Sequence, residues 1–118
     1  MHKELEAWKQ SMLLTEGIYV VTKSFPDQEK FGLVNQLRRA AVSVPSNIAE
    51  GAARDTTKEF IRFLYIALGS ISEVKTQLIL SERLRYSKED EELLSNAETV
   101  KKLLFGLIKA LKKRLKRN

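Results

Sequence analysis

The sequence predicts an all-α protein: an antiparallel, up-down-up-down four-helix bundle occupying residues 1–118 as a single domain. Three observations predict it. Four successive segments carry apolar residues at alternating spacings of three and four, the period of one helical face. Helix breakers are scarce, with two prolines and five glycines, too few for a turn-rich β fold. The last segment begins acidic and ends basic, the order that the helix dipole favours. A chain this long can bury about two-thirds of its unfolded surface, so one core needs no metal or disulfide staple. There is no cysteine, which removes disulfides and thiolate metal sites and suits a reducing cytosol.

The first helix is expected over about residues 3–24. Leu5, Trp8, Met12, Thr15, Tyr19 and Thr22 form its apolar face, with Ile18, Val21 and Phe25 beside them. Phe25-Pro26-Asp27 ends it, because the residue before proline is driven away from the helical region.

The second helix is expected over about residues 28–53, with Val34, Leu37, Ala41, Val44 and Ile48 as a clean seam. Pro45 falls inside this pattern and removes one backbone donor, which predicts a kink near residues 41–45 rather than two helices.

The third is expected over about residues 57–86. Thr56 is its N-cap, and Glu59 reaches back in a capping box. Nine of the twelve residues from Phe60 to Ile71 are apolar or aromatic, so this helix needs cover on more than one side, from its own bundle or a second subunit.

The fourth is expected over about residues 88–116, with Ser87 as N-cap and Glu89, Asp90, Glu91 and Glu92 in its first turn. Leu93, Ala97, Val100, Leu104, Leu107 and Leu111 make a heptad-like seam. At about 1.5 Å per residue these helices run roughly 30–45 Å, so the bundle should be elongated.

Helices 2 and 3 each carry a second stripe. On helix 2 it is Gly32, Gln36, Arg39, Ser43, Ser46 and Glu50; on helix 3 it is Arg62, Ile66, Gly69, Glu73, Gln77 and Leu80. In an antiparallel hairpin, facing residues have numbers of roughly constant sum. Arg39 with Glu73 and Glu50 with Arg62 both add to 112. Two charge pairs fixing the register are therefore expected, with the small residues Ser43, Gly69 and Ser70 allowing close approach. The alternative is two solvated faces.

Net charge is +6, and its placement is uneven. Residues 99–118 hold eight basic and no acidic side chains, while the rest hold thirteen basic and fifteen acidic. The whole positive excess therefore lies in the last twenty residues. Such a cluster can attract a polyanion, or it can simply solubilise a helix end and complement its dipole. The opening MHKELEAWKQ has no apolar run flanked by bases, so no secretory signal is expected. No run of about 18 uncharged apolar residues occurs, so no membrane span is expected. The expected localisation is cytoplasmic.

The run Gln36-Leu37-Arg38-Arg39-Ala40-Ala41-Val42-Ser43-Val44-Pro45-Ser46-Asn47-Ile48-Ala49-Glu50-Gly51 resembles the signature of the bacterial four-helix bundle proteins encoded in 23S ribosomal RNA intervening sequences. The run from Glu59 to Ser70, Glu73 beyond it, Leu5-Glu6-Ala7-Trp8-Lys9 and Phe25-Pro26 fit the same pattern. The resemblance covers nearly the whole chain. It implies a bundle that assembles into a homopentameric ring. It also implies similarity to the accessory variability determinant of diversity-generating retroelements, a basic pentamer that binds a reverse transcriptase and nucleic acid. On the matched positions, Arg38, Arg39, Ser46, Asn47, Glu50, Arg62 and Glu73 look like framework or interface residues. The resemblance brings no enzyme activity.

The residues themselves suggest no catalysis either. The only histidine is His2, near a terminus. No Glu-x-x-His pair, phosphate loop or Gly-x-Ser-x-Gly is present, and Ser43, Ser46 and Ser70 have no histidine near them. No catalytic residue, metal site or cofactor is expected. The favoured partners are the chain itself and nucleic acid, RNA more than DNA. Lys109, Lys112, Lys113, Arg114, Lys116 and Arg117 would contact phosphates, helped by Arg38 and Arg54. The alternative is a scaffold that docks a partner enzyme, its lysines serving solubility only. A basic amphipathic helix lying on anionic membrane ranks last, since its apolar face is committed to the bundle.

Overall fold

The computed structural model describes residues 2–88 and 90–117. Among these are four α-helices and no strand: α1 (Glu6–Thr22), α2 (Leu33–Ala52), α3 (Thr57–Arg83) and α4 (Glu91–Arg117). Each packs on its neighbours in chain order and α1 closes against α4, giving an antiparallel bundle with extents of 52 × 23 × 20 Å. Glu89, expected in the first turn of the fourth helix, lies outside the described residues.

The helix ends differ from the sequence reading for local reasons. α1 starts at Glu6 because His2–Glu4 form a 3-10 turn and Leu5 is extended. α2 starts at Leu33, five residues later than expected, because Asp27–Glu29 form another 3-10 turn. Its first amide is capped from outside the helix: Leu33 N donates to Glu29 Oε1 at 3.1 Å. The Tyr86 hydroxyl donates to Glu29 Oε2 at 2.8 Å. These bonds, Leu33 foremost, hold the Glu29 carboxyl below its ordinary range. The same contact with Glu29 raises the Tyr86 phenol.

α3 begins as expected, with Glu59 N donating to Thr56 Oγ1 at 3.1 Å. The reciprocal half of the capping box is replaced, because the Glu59 carboxylate takes Arg62 at 2.9 Å. α3 ends at Arg83 in a Schellman turn: Tyr86 N donates to Ser81 O and Arg85 N to Glu82 O. Arg85 adopts the left-handed φ of 62° that this turn demands. α4 is capped by Asp90 rather than Ser87, with Leu93 N donating to Asp90 Oδ1 at 3.0 Å.

The α2 seam is buried as expected: Val34, Leu37, Ala41, Val44 and Ile48. The α1 seam is rotated by one position. Ala7, Ser11, Leu14, Ile18 and Thr22 are buried, while Met12 and Tyr19 are exposed. Ser11 can enter the core because its hydroxyl donates to Trp8 O at 2.8 Å within its own helix. In α4, Ile108 replaces Leu107 in the buried seam. α3 has length and hydropathy enough to cross a bilayer. Here Ile61, Leu64, Ala67, Ile71, Val74 and Leu78 are buried within the core that it shares with the other helices.

α2 continues through Pro45. A proline there leaves the carbonyl of Ala41, four residues back, without its helical donor. The Thr15 hydroxyl of α1 lies 3.1 Å from Ala41 O and 2.7 Å from Ser11 O, so one proton serves two carbonyls. Thr15→Val should therefore cost about 1–2 kcal/mol in chemical denaturation. In a Pro45→Ala background, where an amide again faces Ala41 O, the cost should shrink. Equal costs in both backgrounds would contradict this role for Thr15.

Candidate nucleic-acid interface

The last turns of α4 bury Leu104, Ile108 and Leu111. With 3.6 residues per turn, that face turns the intervening cations outward. Lys109, Lys112, Lys113, Arg114, Lys116 and Arg117 are all exposed. Among the described residues no ion pair engages any of them. The six expected contacts thus share the last turns of α4, a segment that carries no acid of its own.

The cluster has a component on another helix. Lys112 Nζ donates to the Tyr65 hydroxyl of α3 at 2.7 Å and lies 5.2 Å from the ring centroid. Tyr65, Phe105 and Ile108 line a groove of about 480 Å³ with Lys109, Lys112, Lys113 and Lys116. Tyr65 is 46% exposed and Phe105 50%. Arg114 and Arg117 are not among the lining residues. The sequence reading missed both aromatics. Tyr65 sits in a run that reads as core, and Phe105 sits between seam positions of α4.

Arg38 and Arg54 are not part of this cluster. Arg38 ties α2 to the end of α1: its Nε donates to Thr22 Oγ1 at 2.9 Å, its Nη2 to Tyr19 O at 3.3 Å, and the guanidinium covers the Tyr19 ring at 4.5 Å. Arg54 pairs with Glu50 at 3.1 Å and lies over Phe63 at 4.8 Å.

The expected charge pairs between α2 and α3 do not form. Arg39 and Glu73 line one cleft of about 410 Å³, but no ion pair joins them. Glu50 takes Arg54, and Arg62 takes Glu59, each from its own helix or the residues just beyond it. Partners three or four residues away are closer than partners across the groove. The bond to Arg62 lowers the Glu59 carboxyl and raises the guanidinium, with Glu50 adding a smaller attraction at Arg62.

Neutral bonds link the two helices instead. Ser43 Oγ and Ser70 Oγ are 2.8 Å apart, and Gln77 Nε2 donates to Gln36 Oε1 at 3.4 Å. Both pairs have numbers adding to 113, one from the expected register. Asn47 Nδ2 extends the link, donating to Ser43 O at 2.8 Å and Ser43 Oγ at 2.9 Å. Gly69 was expected to permit close approach, but a side chain there would meet open space. Gly51 holds that role. Ser46 is exposed on the same face as Arg39 and Glu50.

His2 packs edge-on against Trp8 at 5.3 Å. Among the described residues no group of three or more His, Asp or Glu could hold a metal ion.

A family model described as 23S rRNA-intervening sequence protein matches residues 3–106. No curated protein matches the chain. The chain is similar to a solved protein of unknown function from the S23 ribosomal protein family of Bacteroides thetaiotaomicron. The two are 26% identical with a TM-score of 0.78, over 87% of this chain and 98% of that one.

Proposed function

The chain belongs to the family of 23S rRNA-intervening sequence proteins, and from that premise we propose that it acts by binding and self-assembly rather than by catalysis. Its ligand is nucleic acid, RNA in preference, held by its phosphates on the basic end of α4. The observation that carries this reading is the exposure of six cations at one end of the bundle with no ion pair among the described residues. Phosphate neutralisation of this kind is independent of base sequence and sensitive to salt. The proposed setting is the bacterial cytoplasm, where RNA is met.

Self-assembly is proposed on the α2–α3 face. Among the described residues Arg39 and Glu73 have no ion-pair partner, and Val42, Ile66 and Leu80 are exposed. A second copy supplies the additional cover that the apolar run of α3 calls for. The resemblance gives five subunits in a ring. Such a ring multiplies one weak basic patch into useful avidity.

Light scattering coupled to size exclusion, with absorbance read at 260 and 280 nm, tests both parts together. The freshly purified protein should run several-fold heavier than its 13.5 kDa chain and carry excess 260 nm absorbance. Changing the six cations to glutamine should remove that absorbance and keep the mass. A single-chain mass would eliminate the assembly. An oligomer without bound nucleic acid would favour the second reading, a scaffold for a protein partner. That reading has its own observation: a groove of about 590 Å³ lined by Leu13 and Val20 of α1 and Leu93 of α4, with Leu13 56% and Val20 66% exposed.

A further inference from the structure

We infer that Tyr65 and Phe105 form a base-stacking subsite, so that the basic end of α4 takes single-stranded nucleic acid in preference to duplex. This rests on the nucleic-acid reading above and goes beyond it, because charge alone does not distinguish the two forms. A single exposed aromatic needs no explanation. Here two stand on adjacent helices in one groove whose other lining residues are Ile108 and four lysines. Neither ring packs against another aromatic among the described residues. Lys112 steadies Tyr65 by bonding its hydroxyl, which leaves the ring open in part and places an ammonium beside it.

What fits such a groove must be anionic and must present flat apolar faces. Unpaired nucleotides do both: their phosphates meet the lysines and their bases stack on the rings. Bases inside a duplex already stack on one another and have no face to offer. A bilayer would also satisfy lysines and aromatics, but it presents a broad surface, whereas Tyr65 and Phe105 line a recess between α3 and α4.

The test is fluorescence anisotropy on the full chain at fixed low salt. The probes are a labelled oligouridylate about 12 nucleotides long, a duplex RNA of equal length, and anionic phosphatidylserine vesicles. The expected result is tighter binding of the single strand than of the duplex. Phe105→Ala and Tyr65→Ala should each weaken the single strand by about 5- to 150-fold, the usual worth of one stacked base. They should leave duplex binding nearly unchanged, and Phe105→Trp should retain affinity. Both rings are about half exposed, so the variants should keep the fold, which circular dichroism checks.

If single strand and duplex bind alike, and alanine at either ring changes nothing, the stacking subsite is wrong while phosphate binding stands. No binding of either RNA overturns both. Vesicle binding that Phe105→Ala abolishes, with RNA binding unaltered, assigns the groove to lipid and overturns the inference.

Discussion

Leu64→Ala is expected to lower stability by about 2–5 kcal/mol, or roughly 8–20 °C in Tm. Leu64 lies in the middle of α3 with 0% of its surface exposed, within the core that gathers residues from all four helices. Truncation there removes apolar contact and leaves a cavity. Surrounding helices cannot collapse into it without moving the seams of α2 and α4. Leu13→Ala removes the same atoms from a position 56% exposed, and should cost less than about 1 kcal/mol. The pair separates burial from residue type. Denaturant midpoints with unchanged slopes would read both directly, and equal losses would contradict the placement of α1 and α3.

The second large effect is a reversal of sign between two glycines. A Cβ added at Gly51 would lie 2.7 Å from Phe63 Cβ, 2.9 Å from Phe60 Cδ1 and 3.2 Å from Phe60 O. Phe63 Cβ and Phe60 O move only with the backbone of α3. Phe63 is also held between the guanidiniums of Arg54 at 4.8 Å and Arg62 at 4.5 Å. Alanine gains about 0.8–1 kcal/mol of helix propensity over glycine, but overpacking costs about 1–3 kcal/mol, so Gly51→Ala should destabilise. At Gly69 nothing beyond its own helix backbone lies within 4 Å of an added Cβ, and Gly69→Ala should stabilise the isolated chain by about the full propensity difference. Stabilisation by both substitutions would mean that α2 and α3 do not approach closely at their turn.

The contrast between α1 and α2 explains what could be read in the sequence. The α2 seam was legible because its apolar residues face one way and polar residues separate them. In α1, two stripes interleave. The larger side chains Trp8, Met12 and Tyr19 point to one face, yet the buried face passes through Ala7 and Ser11. Small residues are weak markers of burial, so volume misled the reading by one position. The hairpin register was legible to within one residue, but the partners were not. Charge matching across helices ignores that Arg54 and Glu59 lie nearer to Glu50 and Arg62 along the chain.

The candidate interface was legible in half. Six cations in a segment without acids are visible as a charge run. Tyr65 lies 47 residues before Lys112, and nothing local separates it from the core residues Phe63 and Leu64 around it. Only the pairing of α3 with α4 brings it beside the lysines. Phe105 could have been found from its position alone, since it directly follows the seam residue Leu104 and so turns away from the core.

The salt dependence of RNA binding tests the central claim most directly. Log affinity for a single-stranded RNA should fall linearly with log salt, at a slope near −4 if six cations each neutralise one phosphate. Replacing the α4 cations with glutamine should flatten it. An affinity that ignores salt, or a slope that the substitutions leave intact, would contradict phosphate binding by the end of α4.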